Sequence, residues 1–270
     1  MQGVSRAAHD QVRAALQTAL DGGADWARLS EELFSVVELL DGSSMLRRAL
    51  ADPSGTPEGK RALAARLLDG KVQPATLALV NEAVSQRWSH EQDLTEALDW
   101  AAVETQVAIA EAAGGADDLE EQLFRFERLV AGNAGLREAL GDPRLPADRK
   151  LAVVQRLLEG KVRPETLRLV RQAVSHARGR RLAQGLGRDL EIAAKRRERL
   201  SAVVTVALPL TGDQHDRLET VLGRIYGRPV ALKVIIDPAV LGGIRVQVGD
   251  EVVDGTIVRR LDEARRILGA

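Results

Sequence analysis

The sequence predicts a mainly α-helical chain that ends in a small α+β domain, and three observations carry that prediction. One helical segment occurs twice, 90 residues apart: Glu31–Ser85 laid on Glu121–Ser175 without a gap is identical at 27 of 55 positions. In both copies apolar residues recur at intervals of three and four, interrupted by Gly and Pro. After Leu200 the apolar period falls to two, the spacing of a strand. The expected architecture is two tandem helical-bundle modules, 1–115 and 116–200, followed by a β-α-β-β-α domain at 201–270.

Ser5–Leu20 carries Val12, Leu16 and Leu20 at intervals of four and reads as an amphipathic helix. The first copy then reads as helices over Trp26–Leu40, Ser43–Leu50, Pro57–Leu68 and Pro74–Trp88. LLDGKVQPATLALV (Leu67–Val80) returns as LLEGKVRPETLRLV (Leu157–Val170), and SMLRRALADP (Ser44–Pro53) as AGLREALGDP (Ala134–Pro143). Pro74 and Pro164 each open a helix, since proline is tolerated in the first turn and no deeper. Leu77, Val80 and Val84 share one face, as do Leu167, Val170 and Val174. Gly70 and Gly160 close the helices before them, the usual place for a left-handed cap. A longer helix follows each copy, at Glu91–Ala112 and about Arg181–Leu200. The joint Ala112–Asp117 is short, so the bundles are expected to pack end to end without swinging freely.

In the last seventy residues, Ala202, Val204, Val206 and Leu208 alternate as a strand. Thr211–Gln214 fits a capping box that opens a helix with Leu218, Val221, Leu222 and Ile225 inward. Two more strands follow around Leu232–Ile236 and Ile244–Val248, and Gly255–Leu268 is expected as a closing helix.

A formal net charge of −1 gives no bulk attraction to nucleic acid or anionic lipid. The absence of cysteine excludes disulfides, thiolate catalysis and cysteine metal sites. No stretch approaches the roughly 18 apolar residues of a spanning helix, and the N-terminus lacks the apolar core of a signal peptide. These features point to a soluble intracellular protein that reaches a membrane through a partner.

Duplication tests each chemical motif, because a site present in one copy gains no support from the other. Gly55-Thr-Pro-Glu-Gly59-Lys60-Arg61 resembles a phosphate loop, but has three residues between glycines and an arginine where the hydroxyl belongs. The second copy reads Leu145–Lys150 with no glycine, so a turn before a helix is the better reading. Gly185-Leu-Gly187 lacks the third glycine of a dinucleotide loop and follows a helix; a bend in a helix fits better. The histidines, His9, His90, His176 and His215, are dispersed and read as surface residues, with no metal or triad spacing. HARGRR (His176–Arg181) and KRRER (Lys195–Arg199) lack the interleaved aromatics that nucleic-acid stacking wants, so a solvated face or a protein contact is favoured. Glu31–Glu32 and Asp117–Asp118 stand at helix starts, where carboxylates favour the helix dipole. No catalytic, cofactor or metal site emerges.

Asp237-Pro-Ala-Val-Leu-Gly-Gly-Ile-Arg-Val-Gln-Val-Gly-Asp-Glu-Val-Val-Asp-Gly-Thr256 carries a more specific signal. It resembles the end of the δ subunit of F-type ATP synthases, the bacterial counterpart of the oligomycin-sensitivity-conferring protein. Ile225-Tyr-Gly-Arg228 fits the same family, and Leu119–Leu200 resembles its helical domain. The residues carrying the pattern, Asp237, Gly242, Gly243, Gly249, Asp250, Asp254 and Gly255, also have fold-forming readings. Gly242 and Gly243 suit a bulge or close backbone approach, Gly249-Asp250 a hairpin turn, and Asp254 a cap for the last helix.

The extra ninety residues depart from the common single-module pattern and resemble the long δ chains of actinobacteria. Some relatives there are fused to a membrane-anchored b-type chain; no spanning segment precedes this chain, so a separate anchor is expected. The resemblance implies a non-catalytic stator at the cytoplasmic face of the bacterial membrane. Its helical region would hold N-terminal helices of α subunits and its mixed domain the b-type stalk, so that proton-driven rotation yields ATP. Neither a cofactor, nor nucleic acid, nor membrane insertion is implied. The expected contact is a groove lined by Leu, Val and Ala, with Ser5–Leu20 completing one bundle while the other copy acts as a spacer. The alternative is a helical-repeat scaffold of another complex.

Overall fold

The computed structural model describes residues 3–142, 144–176, 182–226, 230–237, 240, 243–248 and 251–254. The chain divides into two compact units, Met1–Ala193 and Ala194–Ala270, with the boundary inside one long helix.

The first unit is helical throughout. Its first copy comprises α1 (Gly3–Asp21), α2 (Trp26–Gly42), α3 (Ser44–Ala51), α4 (Pro57–Leu68), α5 (Pro74–Ser85) and α6 (Glu91–Ala112). The second continues with α7 (Ala116–Gly132), α8 (Ala134–Gly141), α9 (Ala147–Leu158), α10 (Pro164–Ser175) and α11 (Leu182–Leu200). Polar side chains set several starts. Asp25, Ser43 and Thr56 accept from the backbone N–H groups of Arg28, Leu46 and Gly59, and Asn133 does the same for Leu136 in the second copy. Gly70 and Gly160 end α4 and α9 at φ +71° and +69°, a backbone that side chains rarely adopt. The chain leaves α5 at Ser85, earlier than the apolar pattern suggests, because Trp88 turns back and donates Nε1–H to the Ala83 carbonyl at 2.9 Å.

The core follows the helical periods. Ser5, Ala8, Val12, Leu16 and Leu20 form the buried stripe of α1, which packs on α5 and α6. Val80, Val84, Val170 and Val174 are buried as their spacing predicts, while Leu77 and Leu167 are half-buried.

α6 has a second role. Fifteen of its 22 residues are buried, so it has almost no solvent face. It packs on α1, α2, α3 and α5 and also on α7 and α10. Ninety residues after α1, it packs on α10 as α1 packs on α5, and it packs on α7 as well. The copies therefore share a helix, the sixth of one and the first of the next.

In the second unit the sheet has the order β2-β1-β3-β4, formed by β1 (Ser201–Val206), β2 (Ala231–Ile236), β3 (Ile244–Val248) and β4 (Glu251–Asp254). β1 runs parallel to β2 and antiparallel to β3, and β3–β4 is antiparallel with Val248 opposite Glu251. The parallel pair requires a crossover, which α12 (Gly212–Tyr226) supplies. The capping box is present: Thr211 N–H donates to Gln214 Oε1 at 2.9 Å, and Gln214 N–H to Thr211 Oγ1 at 3.3 Å.

Three details differ from the sequence pattern. The inward stripe of α12 is Leu218, Leu222 and Tyr226, spaced by four, while Val221 and Ile225 face solvent. β1 stops at Val206 because Asp237 N–H closes the ladder on the Val206 carbonyl at 2.9 Å; Leu208 beyond it is exposed. β4 is a fourth strand, its four residues too short to show a period. The expected helix Gly255–Leu268 lies outside the described residues.

Candidate functional site

Each copy builds the start of its fifth helix with a side chain from its second. The helices begin Gln73-Pro74 and Arg163-Pro164, and neither cap residue uses its own side chain. In the first copy Glu32 on α2 accepts the Gln73 N–H at 2.9 Å and the Thr76 hydroxyl at 2.6 Å, and receives Arg28 Nε at 2.6 Å. Gln122 on α7 does the same work, accepting the Arg163 N–H and the Thr166 hydroxyl, both at 2.9 Å. Burial of the Glu32 carboxyl raises its pKa, but the bonds from Thr76, Gln73 and Arg28 outweigh that and hold it below the usual carboxylate range.

A second set of contacts joins the copies. Arg168 on α10 places its guanidinium 4.2 Å from the centre of the Phe34 ring on α2 and donates Nε–H to Glu31 at 2.6 Å. Two turns on, His176 Nε2 stands 3.4 Å from Glu38. Arg188 on α11 pairs with the buried Asp99 of α6 and donates to the Glu96 carbonyl at 2.9 Å. Within the first copy, buried Ser30 donates to the Ala102 carbonyl and accepts from Gln106 Nε2, both at 3.0 Å. These bonds fix the register of helices; none brings together a nucleophile, a base and an oxyanion donor.

The chemical motifs resolve into structural parts. Lys60 is turned inward, and its ammonium donates to the Gln86 carbonyl at 3.0 Å. Burial pushes its pKa down, with Asp52 opposing and Arg87 assisting. It ties α4 to the end of α5 and faces no open loop. Helix α11 runs through Gly185 and Gly187, and Leu186 between them is fully buried. His9 is no free surface residue: its ring lies 4.5 Å from that of Trp100 on α6. Arg196 is buried, which removes it from any solvated basic face; Ala177–Arg181 lie outside the described residues. His215, Asp216 and Glu219 can each offer a ligand atom within 4.8 Å of the others. They sit at i, i+1 and i+4 on a solvent-facing turn, where helical spacing alone produces such a group.

Of the family-pattern residues, Asp237 leaves β2 with its N–H on Val206 and its carbonyl accepting the Val240 N–H at 3.0 Å. Gly243 stands directly before β3 at φ +84°, where a side chain would be strained. Asp254 is the last residue of β4, opposite Arg245. Gly242, Gly249, Asp250 and Gly255 lie outside the described residues.

Sequence reasoning did not foresee the seam between copies or the cross-helix caps. The repeat alignment holds part of that signal: Arg168 stands where the first copy has Ala78, and Glu32 where the second has Gln122.

Residues 104–268 match the family described as ATP synthase delta (OSCP) subunit, a stretch that opens inside the shared helix α6. Over the whole chain the similarity is to proteins named ATP synthase subunit delta. That of Thermobifida fusca is 45% identical over 268 residues, covering 99% of both chains. That of Kineococcus radiotolerans is 45% identical over 267 residues, covering 98% of this chain and 97% of its own. That of Streptomyces griseus is 43% identical and covers 98% of each. These relatives span the duplication as well as the mixed unit, and with them the chain belongs to the ATP synthase delta (OSCP) subunit family.

Proposed function

We propose that the chain is a non-catalytic peripheral-stalk component of an F-type ATP synthase. It acts at the cytoplasmic face of a bacterial cell membrane, linking the catalytic head to a membrane-anchored b-type subunit. In this reading the helical residues 1–115 and 116–200 grip N-terminal helices of α subunits, and 201–270 meets the stalk. The head is thereby kept from turning with the central shaft, and proton-driven rotation yields ATP. The observation that carries the reading is the full-length similarity to proteins named ATP synthase subunit delta.

The architecture supports it. A stator transmits torque, so its modules must resist relative motion, and a shared, buried α6 with ion pairs across the copies serves that need. α1 completes the first copy by packing on α5 and α6, as a bundle that accepts a partner helix requires. Among the described residues no helix is long and apolar enough to cross a membrane, so the anchor in this reading is the b-type chain.

The test is a calorimetric titration of the full chain with a synthetic α-subunit N-terminal helix from the same organism. Saturable binding that survives deletion of 201–270 and is lost on deletion of 1–200 is expected. A folded chain that shows no heat at tens of micromolar peptide would overturn the α-binding assignment.

A further inference from the structure

Phe34 and Phe124 occupy the same place on the second helix of their copies, yet Phe34 is 0% exposed and Phe124 52%. The Phe34 ring lies under Arg168 of the following copy, which also pairs with Glu31. Glu121 and Phe124 repeat that pair of receiving groups on α7, where no third copy follows. From the exposed ring and its occupied twin, we infer that the Phe124 face of α7 docks a helix of a partner protein that lays an arginine over Phe124.

The charges around the ring select that occupant. Glu121 and Glu127 stand three residues before Phe124 and three after it, on its side of the helix. In the first copy Val37 holds the place of Glu127, and there α2 is covered by the shared helix α6. The second-copy face has exchanged that apolar flank for a carboxylate, so it suits a cationic helix and not another α6. Arg128 replaces Glu38, the partner of His176. The docked helix therefore carries an acidic residue eight positions after its arginine, as His176 follows Arg168 in α10. A second copy of this chain does not fit: α5, the counterpart of α10, offers Ala78 and Glu82 where α10 has Arg168 and Gln172. Glu121 meanwhile holds Arg125 of its own helix at 2.5 Å, a pair exposed on both sides and easily exchanged. None of this depends on the stator reading.

The chain has three phenylalanines, Phe34, Phe124 and Phe126, so uniform fluorophenylalanine labelling gives three fluorine resonances. Phe124→Leu identifies the one that matters. The probe is a helix-stapled peptide of residues 161–176 carrying His176→Glu, added to the full-length chain. The expected result is a saturable shift of the Phe124 resonance alone. Replacing the peptide's Arg168 by Ala should weaken it about tenfold, the scale of a cation–π contact joined to an ion pair. Exchanging the peptide's arginine and glutamate should weaken it similarly. No Phe124 shift at millimolar peptide, an equal shift with the Ala peptide, or a shift of Phe34 in its place would each overturn the assignment.

Discussion

Helices α2 and α7 start and stop 90 residues apart, and their inner stripes agree: Leu29, Leu33, Val36 and Leu40 against Leu119, Leu123, Phe126 and Val130, all buried. Their flanks do not agree. Ser30, Phe34 and Val37 are buried as well, whereas Glu120 and Glu127 are half-buried and Phe124 is open. The inner stripe comes with the repeat, because every copy must close its own bundle. The flank is set by position in the array, since a helix with a neighbour copy buries two faces and a terminal one buries a single face. Duplication thus fixes secondary structure twice over but fixes packing only once.

The largest test of this difference removes the paired rings. Phe34→Ala should cost about 3–5 kcal/mol of unfolding free energy, the usual range for a fully buried aromatic. Phe124→Ala should stay within about 0.5 kcal/mol, as for a surface residue. Urea denaturation of both variants gives the comparison; equal losses would mean that the copies are equally covered.

A smaller contrast lies at the fifth helix. Glu32→Ala strips the Gln73 N–H and the Thr76 hydroxyl of their acceptor and should cost about 2 kcal/mol. Gln122→Ala removes the matching neutral acceptor and should cost about 1 kcal/mol. The ratio comes from the charge on Glu32, and the same melts measure it. At Gly70 and Gly160 the copies should not differ. Both lie near φ +70° with open space at the Cβ position, so Ala should cost about 1 kcal/mol at either. A large inequality there would show that the caps are packed differently.

Much of this was legible before the structure. Helix starts at Pro57, Pro74 and Pro164, the glycine caps and the Thr211–Gln214 box rest on residues within one turn of each other, so local chemistry decides them. What escaped is non-local. No period marks α6 as common to both copies, because its polar residues Thr95, Asp99, Glu104 and Gln106 are buried like its alanines. Helical periodicity cannot tell that Val221 and Ile225 point outward, since the stripe Leu218, Leu222, Tyr226 is equally apolar and only the sheet chooses between them. The turn before a helix at Gly55–Arg61 is there, with α4 opening at Pro57, but no local pattern tells that the Lys60 ammonium reaches the Gln86 carbonyl. The Phe124 face was hidden for the same reason: an apolar residue in a helix reads as core until its neighbours are known.

The finest contrast is one of protons. Glu32 has a folded pKa held below its ordinary 4.5, whereas Gln122 in the same place cannot titrate. A depressed carboxyl contributes stability above its unfolded pKa and loses it as pH falls through the folded value. Glu32→Gln should therefore cost about 0.5–1 kcal/mol at neutral pH, where the carboxylate favours the start of α5, and nothing once that group is protonated. Denaturation curves of the two proteins should converge as pH drops below about 4.5, the wild type falling more steeply. The reverse change, Gln122→Glu, should import the same acid-dependent stabilisation into the second copy. Parallel curves for wild type and Glu32→Gln down to about pH 3 would mean that the charge, as distinct from the acceptor geometry shared with Gln122, adds nothing to the cap.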